Sequence, residues 1–121
     1  MKLGIIGAGY VGLTTAICLA SMKHEISVFD IDDEKIKYIN EKKMPFFEPG
    51  LKELLDINVS KKKLQGSNDL NTLVKNTEGC FVCVGTPTKN NSIDLSQIKS
   101  AIESLVDSIK NSEKKNYAII I

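Results

Sequence analysis

Gly7, Gly9 and Gly12 stand at GxGxxG spacing, directly after the apolar run Leu3 to Ile6 and directly ahead of a helix-like segment. That order makes a cradle for nucleotide phosphates. Gly7 lets the chain turn sharply out of a strand, Gly9 leaves bare backbone for a pyrophosphate to lie against, and Gly12 lets the following helix pack close to the sheet. The phosphates then face free N–H groups and the positive end of the helix dipole. A second residue completes the pattern. Val28-Phe29-Asp30 closes the next apolar run, about 20 residues beyond the glycines, and a carboxylate at that strand tip can accept hydrogen bonds from an adenosine ribose.

The rest of the chemistry is sparse. Gly85-Thr86-Pro87 ends a later apolar run, where Thr86 offers a hydroxyl to the nicotinamide half of a dinucleotide and Pro87 stiffens the loop. Lys35 either reaches the adenosine end of the cofactor or is a solvated charge in the first turns of a helix. Asp30 would repel a 2′-phosphate and the chain has no arginine to receive one, so NAD is expected over NADP. Glu48, held between Pro45 and Pro49, either approaches a substrate or serves the loop structurally. His24, the only histidine, falls in the link between the first helix and second strand, away from the expected site. Cys80-Phe81-Val82-Cys83 matches CxxC, but residues three apart on a strand point to opposite faces, so a shared metal or disulfide is not expected. Cys18 lies inside the first helix, so none of the three cysteines is placed as an exposed, activated nucleophile. No catalytic residue and no metal site are expected within this chain.

These residues need a scaffold that brings strand ends together, and the chain alternates strands and helices throughout. That alternation predicts an α/β fold, a Rossmann-like doubly wound parallel sheet with strand order 3-2-1-4-5 and helices on both faces. Strands are expected at Lys2–Ile6, Glu25–Asp30, about Lys63–Gln65, Cys80–Val84 and Asn116–Ile121. The first helix carries Leu13, Ala16, Ile17 and Ala20 on one face, and the second starts at an Asp32 N-cap with Ile36 and Ile39 inward. Met44 to Gly50 interrupts the rhythm with two prolines. Helices are then expected over Leu51–Asp56 and Asp69–Lys75, followed by one from an Asp94-Leu95-Ser96-Gln97 capping box to about Lys110, with Leu95, Ile98, Ile102, Leu105 and Ile109 as its stripe. Lysines 61 to 63 read as a solvated approach to the third strand. The last strand, Ala118 to Ile121, is all-apolar, a type normally buried on both faces and followed by another element, so the sheet looks truncated after strand five.

Composition narrows the partners. The 121 residues make one domain, 1–121, with 42% hydrophobic and 26% charged content. A formal net charge of +1, with all 16 basic residues lysine, leaves no footprint for nucleic acid. No apolar run reaches bilayer length, and Met1-Lys2 leads at once into strand and glycine loop, so neither membrane nor signal peptide is expected and the location is read as cytoplasmic.

Three segments in this order resemble the nucleotide-sugar dehydrogenases, the family of UDP-glucose 6-dehydrogenase and GDP-mannose dehydrogenase. They are Gly7-Ala8-Gly9-Tyr10-Val11-Gly12-Leu13, Pro45-Phe46-Phe47-Glu48-Pro49-Gly50-Leu51 and Val82-Cys83-Val84-Gly85-Thr86-Pro87-Thr88. The EPGL and VGTP segments argue against another two-domain dehydrogenase acting on a hydroxy acid or acyl-CoA. The resemblance covers the whole chain and implies the N-terminal NAD-binding domain of a larger enzyme. Such an enzyme oxidises the C6 alcohol of a sugar nucleotide to a carboxylate with two NAD, through a thiohemiacetal on a cysteine that lies downstream of Ile121. UDP-glucose, giving UDP-glucuronate, is the first substrate expected, with GDP-mannose or a UDP-N-acetylhexosamine as alternatives. By resemblance Val11, Asp30, Lys35 and Thr86 contact NAD, alongside Gly7, Gly9, Tyr10, Gly12, Gly85 and Pro87. The full-length enzyme is expected as a homodimer and the fragment as inactive alone. The alternative of another class is a stand-alone dinucleotide-binding module without chemistry.

Overall fold

A computed structural model describes residues 1–121. Five parallel strands, β1 (Lys2–Ile6), β2 (Glu25–Phe29), β3 (Leu64–Ser67), β4 (Gly79–Val82) and β7 (Ala118–Ile120), form one sheet in the order β3-β2-β1-β4-β7. This is the expected doubly wound order; the fifth strand takes the label β7 because a hairpin, β5 (Thr88–Lys89) with β6 (Ser92–Ile93), intervenes. The helices are α1 (Tyr10–Ser21), α2 (Asp33–Asn40), α3 (Leu51–Ser60), α4 (Leu70–Asn76) and α5 (Ser96–Asn111). The pleat sorts the core into two layers. Ile5 faces a cluster with Leu13, Ile17 and Leu55, whereas its neighbour Ile6 faces Leu73, Val74 and Leu105. Helices therefore cover both faces. Strand order reverses between β1 and β4, so the loops after those two strands diverge and leave a crevice.

Several boundaries differ from the sequence expectation, those of α3 and β3 through long-range contacts. Helix α3 runs to Ser60 instead of Asp56 because Asn58, a weak helix former, is buried and donates from its side-chain amide to Ser21 Oγ at 2.8 Å. Strand β3 extends through Gly66 to Ser67. A side chain at Gly66 would meet Ile36 Cγ2 at 2.8 Å, and Asn40 accepts from the Gly66 N–H at 2.8 Å, so helix α2 needs this glycine and satisfies the strand edge. Strand β4 ends at Val82, although the Cys83 N–H still reaches Ile6 O at 2.7 Å. Strand β7 is shorter than expected, and Ile120 is 53% exposed, as expected of a sheet edge left uncovered after strand five. Within residues 1–121 its one neighbour is β4.

The hairpin was not anticipated. Asn90 and Asn91 both adopt positive φ, +50° and +59°, which a two-residue hairpin turn requires and which asparagine tolerates better than most residues. After it, Leu95, not Asp94, caps α5, while the Asp94 carboxylate accepts from the Ser96 N–H at 2.9 Å and meets Lys89 Nζ at 2.7 Å. Lys89, then Ser96, holds the Asp94 carboxyl down at about 2. A carboxylate whose pKa is lower folded than unfolded, where it is about 3.9, contributes stability above the unfolded value that fades as pH falls through the folded one. The hairpin is therefore expected to loosen between about pH 4 and pH 2, read from the amide resonances of residues 88 to 96. An unchanged hairpin at pH 2 would show that the pair does not hold it.

Candidate cofactor site

The site begins where β1 ends. Gly7 has φ +102°, and a Cβ there would stand 2.6 Å from the Cys83 carbonyl oxygen, so the turn is open only to glycine. Gly12 is stricter. Its missing Cβ would lie 1.8 Å from the Gly7 carbonyl oxygen, so α1 rests directly on the turn that feeds it. Gly9 differs from both, because a Cβ there meets nothing within 4 Å of the protein. Gly50 ahead of α3 is equally open, but over Gly9 the space adjoins the Asp30 carboxylate and the cleft beyond the strand ends, where a ligand fits.

Helix α1, like α3 and α5, has no side-chain cap; only α2 and α4 carry one. Asp32 caps α2 and Asp69 caps α4 through their carboxylates, whereas Gly9 gives α1 no side-chain cap and its first turn holds no acid. The N–H groups of Gly9, Tyr10, Val11 and Gly12 have no partner within the protein. Bare donors at a helix start favour an anion.

Asp30 lies one residue past the end of β2 and is 8% exposed. Its carboxylate accepts from the Ala8 N–H at 2.6 Å and the Asp32 N–H at 2.9 Å, with Lys35 Nζ 3.5 Å away. It thus staples the glycine loop to the end of β2 as well as facing the crevice. Carboxylate oxygens have lone pairs enough to accept from a ribose in addition.

The crevice is a cleft of about 820 Å³. Gly7, Gly9, Asp30, Asp32 and Lys35 form one wall, and Val84, Gly85 and the first turns of α5 form the other. Among the expected residues, Thr86 and Pro87 are exposed and do not line the cleft, which Gly85 does, and the Pro87 carbonyl accepts from the Asp94 N–H. Tyr10 and Val11 project outward from the first turn, and Gly12 is buried beneath it. Sequence reasoning missed Ile31 and the polar wall from α5, where Ser96, Gln97, Ser100 and Ser104 border the cleft. The serine spacing of four, opposite the isoleucine stripe, was the available signal.

Glu48 is elsewhere. It lies on a separate, larger groove of about 950 Å³ under the loop 43–50, with Tyr38, Met44, Phe46 and Phe47. Its carboxylate accepts from the Tyr10 hydroxyl at 2.5 Å. The smaller cleft is the better nucleotide site, because the unpartnered N–H groups and the paired carboxylate meet there. Cys80 and Cys83 pack in opposite core layers, as their spacing predicted. Burial pushes the Cys80 thiol up to about 11 and raises that of Cys83, so neither is primed as a nucleophile, whereas Cys18 is exposed on α1, against the expectation. His24 bonds to the N-terminal amine at 3.3 Å, at the far end of the sheet.

Comparison with known proteins adds the following. Residues 1–121 match the NAD binding domain of the UDP-glucose/GDP-mannose dehydrogenase family. A GDP-mannose 6-dehydrogenase of Pseudomonas syringae pv. syringae is 43% identical over 83% of this chain and 23% of its own length. A UDP-glucose 6-dehydrogenase of Rhizobium meliloti is 36% identical over 91% of this chain and 26% of its own. In structure, a ternary complex of GDP-mannose dehydrogenase from Pseudomonas aeruginosa superposes with a TM-score of 0.94 at 34% identity, over 99% of this chain and 28% of that one. The chain thus spans about a quarter of the length of these relatives.

Proposed function

The chain belongs to the UDP-glucose/GDP-mannose dehydrogenase family as its NAD-binding domain, and from that premise we propose that it serves a larger enzyme oxidising the C6 alcohol of a sugar nucleotide to a carboxylate. Alcohol to carboxylate is a four-electron oxidation, so it consumes two NAD, each of which supplies a hydride acceptor when bound. The observation that carries the assignment of contacts is the start of α1, where four unpartnered N–H groups and the open space over Gly9 adjoin the Asp30 carboxylate.

The pyrophosphate lies on the turn formed by Gly7, Gly9, Tyr10, Val11 and Gly12. Asp30 receives the adenosine ribose hydroxyls, and Lys35, already 3.5 Å from that carboxylate, borders the same end. Gly85, Thr86 and Pro87 border the nicotinamide half. A 2′-phosphate at Asp30 meets a negative carboxylate, so NAD is taken in preference to NADP. The sugar and its nucleobase are held by residues outside this chain, and the assembled enzyme works as a homodimer. Unpaired cysteines suit a reducing compartment, which supports a cytoplasmic enzyme.

GDP-mannose is the first substrate to test, because the relative at 43% identity is named for it; UDP-glucose follows, supported by the relative at 36%. The full-length protein, given NAD and separately GDP-mannose, UDP-glucose and a UDP-N-acetylhexosamine, is expected to form two NADH per sugar oxidised with one of them. NAD binding without NADH from any sugar nucleotide would contradict the enzymatic reading and favour a binding module.

A further inference from the structure

Helix α1 must solve two conflicting demands at its start. Leaving four N–H groups bare prepares the turn for a phosphate, yet an uncapped first turn frays. An acid at the cap would stop the fraying by occupying the anion site itself. The structure holds an acid near this turn in another way. Tyr10 is the first residue of α1, and its ring packs against Phe46, tilted by 40° with centroids 4.7 Å apart, while its hydroxyl donates to Glu48 at 2.5 Å. Both partners come from the proline-bounded loop, whose two prolines limit its freedom. The negative charge thus sits at the far end of a phenol ring. Glu48 raises the Tyr10 hydroxyl pKa, so the donor keeps its proton.

We propose that Glu48 and Phe46 clamp Tyr10 so that the first turn of α1 is ordered before the pyrophosphate arrives, which makes Glu48 a positioning residue for NAD and not a contact of the substrate. The proposal rests on the nucleotide reading of the glycine loop. It gives the proline-bounded loop, whose Glu48 is 38 residues from Tyr10 in sequence, a part in ordering the glycine turn. A preorganised turn avoids the ordering cost that binding otherwise carries.

The test is calorimetric titration of the full-length protein with NAD and with ADP-ribose, together with the melting temperature of each variant without ligand. Glu48→Ala and Tyr10→Phe are each expected to weaken both ligands about fivefold, the worth of one hydrogen bond. Glu48→Gln keeps an acceptor and is expected within about twofold of the parent. The double variant Tyr10→Phe/Glu48→Ala should be no weaker than either single one. Tyr10→Phe keeps the ring on Phe46, so it tests the bond even where Glu48→Ala folds poorly. Unchanged affinities with a lowered melting temperature would overturn the clamp and leave a purely structural contact. A loss for NAD but not ADP-ribose would also overturn it, by moving the effect to the nicotinamide half. No NAD binding by the parent protein would overturn the nucleotide reading and the clamp together.

Discussion

Gly12→Ala is expected to leave the chain without a stable fold, or to lower its melting temperature by at least about 10 °C, equivalent to roughly 3 kcal/mol. The added methyl would lie 1.8 Å from the Gly7 carbonyl oxygen, and that atom is backbone in a turn fixed on its other side by Cys83. No rotamer change relieves such a clash. Helix α1 would have to lift from the turn, and with it Leu13 and Ile17, which are fully buried. Circular dichroism melting of the variant beside the parent decides the matter. A melting temperature within a few degrees would show that the contact is loose.

Asp30→Ala is expected to damage both stability and binding. The carboxylate accepts from two backbone N–H groups, and the Ala8 donor is buried, so truncation leaves donors without partners. That costs about 2–4 kcal/mol of stability. Two charge-assisted bonds to a ribose disappear as well, which should weaken NAD by at least about a hundredfold. Selectivity should change with affinity. Lys35 Nζ, now paired with Asp30 at 3.5 Å, becomes available to a 2′-phosphate, so the preference for NAD over NADP should collapse. Asp30→Asn keeps the shape but turns an amide N–H₂ toward one of the two backbone donors, and should fall between alanine and the parent. NAD affinity within about threefold in Asp30→Ala would mean that the carboxylate only staples the loop.

What could be read from the chain, and what could not, divides along contact range. The strand, glycine turn, helix and acid that run from Lys2 to Asp30 were legible because each rests on local rules: the short apolar runs of the strands, the α1 apolar face and the conformations open only to glycine. The capping of α2 by Asp32 was legible for the same reason. The last turn of α3 is not legible locally, because Asn58 is held by Ser21, 37 residues away. Gly66 suggests a break by propensity, yet it sits inside β3 because α2 comes too near for a side chain. The Asn90-Asn91 turn carried its own signal in two residues tolerant of positive φ, but the strands beside it are only two residues long. At the site, the glycines and Asp30 were legible, whereas the serine wall of α5 depends on how that helix rotates over β4. Glu48 was singled out by its proline frame, and its partner Tyr10 could be found only once the fold brought the two loops together.

The central claim is that the bare turn over Gly9 receives a pyrophosphate, and Gly9→Ala tests it most directly. A methyl there meets no protein atom within 4 Å, so the fold should tolerate it, while the space it fills is the space assigned to the ligand. Calorimetric titration of Gly9→Ala with NAD, beside its melting curve, should show an unchanged melting temperature and an affinity at least about thirtyfold below the parent. Parent-like NAD affinity in a variant that melts like the parent would contradict the account.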